Sequence, residues 1–169
     1  MTYEELIKMM EKTDRLIAKI AEEVSGVSEQ MGGISENIGH HAEQFFQDAF
    51  ADNPVFGGIK YDRAIPNMIY SDGSDEVEFD IVLENGNSVA IIEVKSRIHP
   101  KFVKKLAEER ISKFRKYFLK YKDYDVYLGI AGFSFSKAVL EEAKKYGVGI
   151  IKQAGKTIEV DATGLRVYR

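Results

Sequence analysis

The chain has 169 residues and a formal net charge of −3 at pH 7, with 44% hydrophobic and 30% charged residues. This composition is typical of a soluble globular domain with a sizeable core, and it excludes collagen-like and disordered chains. The sequence contains no cysteine, which excludes disulfides, thiolate metal sites and cysteine nucleophiles. Because no apolar run approaches the ~20 residues of a membrane span and no signal-peptide pattern is visible, we expect a cytoplasmic protein without a membrane partner.

The first region repeats apolar side chains at alternating steps of four and three residues. A 3.5-residue period held over ten positions, with one polar member, is typical of a coiled-coil seam. We call these positions the seam: Leu6, Met10, Thr13, Ile17, Ile20, Val24, Val27, Met31, Ile34 and Ile38. The alternative is an amphipathic helix lying on its own domain, although such a helix usually has a wider apolar stripe.

From the seam we expect residues 1–38 to form a coiled-coil oligomerisation arm and the protein to be a homo-oligomer. A dimer is the expected state, although β-branched residues at both kinds of seam position also fit a trimer. Glycines at 32 and 33 weaken a helix, so a loosening is expected there. Charge separates the two parts of the chain as well, with a net −6 over residues 1–50 and +3 over residues 51–169.

The helical pattern continues to about Phe50 and carries one glutamate beside its apolar positions. Glu43 precedes Phe46 by three residues and Phe50 by seven, which places it on or next to the apolar face. A glutamate at the edge of an apolar stripe is more often simply solvated. Glu43 therefore becomes a candidate site residue only in combination with other features of the sequence.

The rest of the chain alternates strands with helices. A loop is expected at 51–58 and a strand within 59–70 that Pro66 interrupts. The clearest signal is a hairpin over 77–96 around Asn85-Gly86. Further on, the patterns predict a helix at 101–122, a strand at 124–131, a helix at 136–146 with Ser136 as its N-cap and Gly147 as its stop, and short strands at 148–151 and 157–160. A strand, a helix and a strand in succession predict a crossover onto a mixed sheet.

The hairpin brings charged residues together on one side of the sheet. If Asn85 and Gly86 form a two-residue turn, Asp80 lies opposite Ile91 and diagonal to Glu93, with Cα atoms about 7–8 Å apart. The side chains of Glu78, Asp80, Glu93 and Lys95 then point one way. The apolar side carries Val77, Phe79, Ile81, Leu83, Ala90, Ile92 and Val94. The alternative is an ordinary hairpin with one solvated polar face.

Two carboxylates and a lysine in this arrangement suit metal-assisted hydrolysis of a phosphodiester. Carboxylates about 7–8 Å apart across the strands can share one hard cation such as Mg²⁺. The cation would polarise the phosphate and activate a water. An ammonium group beside it can stabilise the charge that develops in the transition state.

Asp80, a twelve-residue gap and then Glu93-Val94-Lys95 resemble the active-site signature of the PD-(D/E)XK nuclease superfamily, over about residues 36–160. Phe79 stands where the name-giving proline would be. The resemblance implies an α/β, restriction-endonuclease-like fold over residues 39–169, with a mixed central sheet flanked by helices. It also implies that Asp80, Glu93 and the Val94 carbonyl bind Mg²⁺, with Mn²⁺ as a substitute, that Lys95 positions the attacking water, and that Glu43 holds a second metal or a water.

Residues 95–122 contain eleven lysines and arginines against two glutamates, Glu108 and Glu109. This run predicts a phosphate-binding surface that includes Lys95, Arg97, Lys113 and Lys116. A solvated helix face would look the same in the sequence. With the nuclease resemblance, the expected partner is nucleic acid, DNA rather than RNA.

The expected function is therefore that of a Mg²⁺-dependent endonuclease hydrolysing phosphodiester bonds in DNA. The alternative is a catalytically inactive nuclease-fold module that binds nucleic acid or protein as a coiled-coil oligomer. The sequence determines neither the strand state of the substrate, nor sequence preference, nor cleavage pattern, nor the number of metal ions.

Overall fold

The structure, a computed structural model, describes residues 2–169. The chain separates into two units, residues 1–38 and residues 39–169. The helices are α1 (Tyr3–Asp52), α2 (Pro100–Lys105), α3 (Ile111–Tyr117) and α4 (Lys137–Tyr146), with a π-helical turn at Leu106–Arg110 and a 3-10 turn at Leu119–Tyr121. The strands are β1 (Val55–Phe56), β2 (Ile59–Lys60), β3 (Arg63–Ser71), β4 (Glu76–Glu84), β5 (Ser88–Val94), β6 (Asp125–Gly132), β7 (Gly149–Ala154) and β8 (Thr157–Asp161).

Within the first unit, the seam lies on a continuous helix. The expected loosening at Gly32 and Gly33 does not occur, since α1 runs through both without interruption. The apolar seam side chains are 40–60% exposed, from Leu6 at 40% to Met10 at 60%. Each would release ordered water if a second helix covered it. The coiled-coil role of this unit stays a prediction.

We expect Ile17→Asp combined with Ile20→Asp to dissociate a coiled-coil oligomer while residues 39–169 stay folded. The two isoleucines are 59% and 57% exposed, so the substitutions leave the isolated helix intact but bury charge at a seam. Sedimentation equilibrium at tens of micromolar protomer measures the change. A wild-type protein that sediments as a monomer would show that the seam does not assemble copies of this chain.

The matched control for this variant adds the same charge to the same helix outside the seam. Ala18→Asp with Ser25→Asp places two carboxylates on exposed positions that no seam residue occupies. The control should retain the wild-type mass. If it dissociates as fully as the seam variant, added charge rather than seam burial is responsible.

In the second unit, the described strands β3 to β8 form one mixed sheet of six strands in the order β3-β4-β5-β6-β7-β8. Pairs β5–β6 and β6–β7 are parallel and the other pairs are antiparallel. The long N-terminal helix is followed along the chain by the three-stranded meander β3–β5 and by two helical crossovers. The expected α/β fold with a mixed central sheet flanked by helices is confirmed.

Apolar side chains cover both faces of this sheet. The α1 core lies against the end of α1 and includes Phe46, Phe50, Ile81, Leu83, Ala90, Ile92 and Val94. The α3 core lies against α2, α3 and α4 and includes Phe79, Val82, Ile91, Val103, Leu106, Phe114, Leu128 and Val139. Strand β5 is buried throughout, as expected for a strand between two covered faces. The predicted single apolar side of the hairpin is therefore wrong, because Val77 and Phe79 lie in the α3 core whereas its other members lie in the α1 core.

The predicted hairpin register is also wrong, by two residues. Ile81 lies opposite Ile92 and Glu84 opposite Val89. The loop is Gly86-Asn87 rather than Asn85-Gly86, because the Asn85 carboxamide oxygen accepts hydrogen bonds from the backbone N–H groups of Asn87 and Ser88 and from the Ser88 hydroxyl. An asparagine that bonds the backbone two and three residues ahead occupies the first position of a turn.

The predicted helix over 101–122 is divided. A π-helical turn separates α2 from α3, and a 3-10 turn ends the segment. Along this segment Val103, Leu106, Ile111, Phe114 and Tyr121 are buried, and Phe102 and Phe118 are partly buried. The predicted ends of the last helix are confirmed. Ser136 Oγ accepts from the Val139 N–H at 3.3 Å, and Gly147 ends α4 with φ 67°.

A buried charged cluster closes the far end of β4. Glu84, 6% exposed, accepts hydrogen bonds from Arg63, Lys120 and the Tyr121 hydroxyl. Burial by itself raises the pKa of Glu84, but these hydrogen bonds outweigh it and bring the pKa below its ordinary value. The cluster joins β3, β4 and the 3-10 turn.

Across residues 2–169, every helix is too short or too polar to cross a membrane.

Candidate active site

The site begins at a kink that two neighbouring strands share. Alternate residues of a regular strand lie on one face, yet Phe79 packs in the α3 core while Ile81 packs in the α1 core. The alternation of β4 therefore breaks at Asp80. The pairing of β4 with β5 also stops at Ile81, one residue later in β4.

Strand β3 breaks at the same level. Ile65 and Met68, three residues apart, both pack against the α3 core. Between them Asn67 has a φ of 48°, the one positive φ of a non-glycine residue in the described range. Asparagine tolerates this left-handed conformation better than most residues. The pairing of β3 with β4 skips Asn67 and Asp80 and holds on either side of them, at Pro66–Ile81 and Met68–Phe79, so the two strands are irregular at the same level.

Gln47 on α1 bonds to both strands at the kink. Its Nε2 donates to Asn67 Oδ1 at 2.7 Å and to the backbone oxygen of Asp80 at 3.2 Å. One side chain thus ties the helix to β3 and β4 at the level of Asp80. Sequence analysis did not single out Gln47 or Asn67, and neither carries a motif that could have revealed it.

The kink directs the Asp80 carboxylate towards the end of β5. Asp80, 9% exposed, accepts the Val94 N–H at 2.7 Å on Oδ2. The side chain thus supplies the acceptor that a regular β4–β5 ladder would provide. Glu93, the residue before Val94, is 4% exposed. Both carboxylates are buried side chains, which disfavours the alternative of a solvated polar hairpin face.

Arg110 neutralises part of this negative charge. Its Nε donates to Glu93 Oε1 at 2.9 Å, and Nη2 contacts the same oxygen. Burial and, less strongly, the charge of Asp80 raise the pKa of Glu93 to about 7, against the opposing effect of Arg110. Sequence analysis counted Arg110 only as one of eleven basic residues, because its pairing with Glu93 depends on how the helix is placed.

Glu43 lies close enough to interact electrostatically with these residues. Burial, followed by the charge of Asp80, raises the pKa of Glu43, whereas Lys95 lowers it. Glu43 nevertheless makes no side-chain hydrogen bond with a described residue. Within residues 2–169, no three acidic or histidine side chains lie close enough together to form a metal-binding group.

The two carboxylates open into a cleft of about 380 Å³. We call this the carboxylate cleft, lined by Asp80, Glu93, Lys95, Lys105, Arg110 and Lys113 among others. Lys95 is half-buried, and its Nζ lies 5.4 Å from the centre of the Phe102 ring. The cleft therefore combines two buried carboxylates and two exposed ones, those of Glu78 and Glu109, with four basic side chains.

Only part of the predicted basic surface lies at the carboxylate cleft. Lys95 and Lys113 line the carboxylate cleft, and Lys105, which sequence analysis did not single out, lines it as well. Arg97 is exposed in the loop after β5. Lys116 donates to the Tyr117 hydroxyl at 3.0 Å and does not line the cleft.

The donor atoms present fit a hard divalent cation. Such cations take carboxylate and carbonyl oxygens and complete their shell with water. Within residues 2–169, no hydrogen bond reaches Asp80 Oδ1 or Glu93 Oε2. One oxygen of each buried carboxylate is therefore available to a ligand, although Arg110 shares the second carboxylate.

Comparison with known proteins gives distant likenesses in fold. Can2 from Sulfobacillus thermosulfidooxidans, in complex with cyclic tetra-adenylate, is similar with a TM-score of 0.41 and 15% identity over 69% of this chain and 32% of that chain. The small subunit of the heterodimeric restriction endonuclease R.BspD6I is similar with a TM-score of 0.31 and 21% identity over 54% of each chain. This chain thus spans about a third of the first and half of the second.

No protein-family model matches the chain. No curated protein matches it either.

Proposed function

We propose that the protein is a Mg²⁺-dependent nuclease that hydrolyses phosphodiester bonds in DNA. The observation that carries this proposal is the pairing of two buried carboxylates, each with an oxygen free of hydrogen bonds, beside the half-buried Lys95 in one cleft. Buried charges without a structural partner are costly. Buried carboxylate oxygens without hydrogen bonds do not stabilise the fold, but they are available to bind a cation.

Asp80 and Glu93, with the Val94 carbonyl, would hold the cation. When bound, Mg²⁺ would polarise the phosphate and lower the pKa of a water. Lys95 orients that water and stabilises the negative charge of the transition state. Glu43 would hold a second metal or a water from the α1 side. The Asp80–Val94 hydrogen bond keeps the first carboxylate in place before any ligand arrives.

The basic side chains of the cleft would receive the nucleic-acid backbone. Lys105 and Lys113 are exposed, line the carboxylate cleft and make no ion pair with a described residue. Such side chains can exchange counterions for phosphates at little structural cost. A dimer formed through residues 1–38 would carry two such sites, which suits cleavage of both strands of a duplex.

The second candidate is a module with the nuclease fold that binds nucleic acid or protein without catalysis. The ion pair between Arg110 and Glu93 favours it, because an internal cation already compensates one carboxylate. Incubation with single- and double-stranded DNA and RNA, with Mg²⁺ or Mn²⁺, separates the two. Cleavage of DNA that EDTA abolishes supports the nuclease. Binding of any of these substrates without cleavage supports the module.

Metal binding can be measured separately from cleavage, as a change in melting temperature. Mg²⁺ or Mn²⁺ should raise the melting temperature of the wild type, because a ligand that binds only the folded state stabilises it by mass action. Asp80→Asn should abolish this rise. Asp62→Asn removes the same charge from an exposed position outside the cleft and should preserve it. If Asp80→Asn gains as much as the wild type, Asp80 does not bind the metal.

A further inference from the structure

Arg110 is held by three groups around the carboxylate cleft. Besides the bonds to Glu93, its Nη2 contacts the backbone oxygen of Glu78, and its guanidinium carbon lies 4.1 Å from the centre of the Phe79 ring. These contacts fix the plane of the guanidinium group. An arginine that only compensated the charge of Glu93 would need no more than the ion pair.

The fixed guanidinium uses only one of its edges. Nε and Nη2 face Glu93 and Glu78, whereas Nη1 donates to no residue in the range 2–169. The side chain is 21% exposed and lines the carboxylate cleft. Arginine presents its donors in a rigid planar fork that matches phosphate oxygens. The Nη1 donors are therefore oriented in advance and unused.

The helix around Arg110 explains how it reaches this place. Arg110 is the last residue of the π-helical turn Leu106–Arg110. A π turn inserts residues into a helix and changes the direction of the side chains after it, and such turns are frequent at functional sites. Lys105 and Lys113, which flank this turn, also line the cleft.

We propose that Arg110 contacts the substrate directly: its Nε/Nη2 edge orients Glu93 while its Nη1 donates to a phosphate oxygen of the nucleic acid in the cleft. This inference rests on the proposed function. Arg110 thus couples a metal ligand to the substrate backbone. It would act together with Lys95, which serves the attacking water rather than the bound phosphate.

The test measures nucleic-acid binding in EDTA, so it does not depend on metal or turnover. Arg110→Gln alone would leave the buried Glu93 charge unpaired and could unfold the protein or repel the ligand. The comparison is therefore made in Glu93→Gln, where that charge is absent, and a melting curve verifies folding. In this background Arg110→Gln should weaken duplex DNA binding about tenfold or more, as expected for a charge-assisted hydrogen bond.

Salt dependence identifies the lost contact. The slope of log affinity against log salt should fall by about 0.9 for duplex DNA when one phosphate contact is removed. The matched control is Lys104→Gln, which removes one charge from α2, where Lys104 lies 3.9 Å from Glu108 outside the cleft. It should weaken binding only slightly and leave the slope unchanged.

The outcomes separate the two proposals. If Arg110→Gln in the Glu93→Gln background binds as well as the Lys104→Gln control in that background, Arg110 is only the counter-ion of Glu93 and this inference is wrong. That result leaves the nuclease proposal intact, provided that the wild type cleaves. If the wild type binds neither DNA nor RNA, the proposed function itself fails, and the inference fails with it.

Discussion

Replacing Lys95 by alanine should slow cleavage of plasmid DNA by on the order of 100-fold or more, the usual effect of losing one group that stabilises transition-state charge. Lys95 lines the carboxylate cleft with Asp80 and Glu93, and its ammonium group lies 5.4 Å from the centre of the Phe102 ring. On the proposed mechanism its charge would act on the attacking water and the transition state. DNA affinity should fall only by the share of a single phosphate contact.

A control on the same cleft should behave in the opposite way. Lys113 is exposed and lines the cleft from α3, so Lys113→Ala should weaken DNA binding and reduce the dependence of affinity on salt, with little change in rate at saturating DNA. Lys116→Ala, outside the cleft, should have the smaller effect of the two. Plasmid nicking under single-turnover conditions gives both rates. A Lys95→Ala protein that cleaves as fast as the wild type would exclude the assigned role.

The second large effect concerns stability and lies far from the carboxylate cleft. Changing both Arg63 and Lys120 to methionine should lower the free energy of unfolding by about 3 kcal/mol at pH 7, because it leaves the buried Glu84 charge without a cation. The side chain of Glu84 is 8% exposed, whereas those of Arg63 and Lys120 are 60% and 56% exposed. The loss of these ion pairs therefore destabilises the protein through the buried carboxylate and not through the exposed cations.

Because the carboxylate is buried and its two partners are exposed, we expect a third substitution to restore part of the lost stability. Adding Glu84→Gln to that double variant should restore about 1 kcal/mol or more, since a neutral amide is cheaper to bury than an unpaired carboxylate. Urea unfolding of the wild type, the single Glu84→Gln variant, the double variant and the triple variant measures the coupling. A triple variant less stable than the double variant would mean that the unpaired Glu84 carboxylate is not the cause of the lost stability.

Acidification provides an independent check of this cluster. The pKa of Glu84 is lowered in the folded protein from an ordinary value of 4.5, so the carboxylate contributes stability above about that pH. This contribution is lost as the pH falls through the folded pKa. The stability advantage of the wild type over Glu84→Gln should therefore be constant at neutral pH and shrink below about pH 4.5. An advantage that does not change with pH would contradict the lowered pKa.

Local patterns were sufficient for the fold class. The 3.5-residue period of the seam, the alternation around Asn85-Gly86 and the capping residues Ser136 and Gly147 are short-range signals. Each reflects backbone geometry within one or two turns. Because the element order alone limits the topologies of an α/β sheet, the mixed sheet flanked by helices followed from these signals.

The register of the hairpin could not be predicted from local sequence patterns. Asn-Gly is the preferred pair for a two-residue turn, but the Asn85 side chain bonds Ser88 and moves the loop by one residue. That changes the pairing register by two residues, so the relative position of Asp80 and Glu93 differs from the one that the sequence predicted. A register is decided by competing hydrogen bonds that differ by little in free energy.

By itself, the sequence determined that Asp80, Glu93 and Lys95 belong to one hairpin and that basic residues follow it, because residue identity and strand order are local properties. Only the tertiary structure decided how these groups meet. Strands β3 and β4 are irregular at Asn67 and Asp80, and Arg110, the last residue of the π-helical turn, pairs with Glu93, 17 positions earlier. The geometry of such a contact depends on how two cores fill their volume rather than on any repeating pattern.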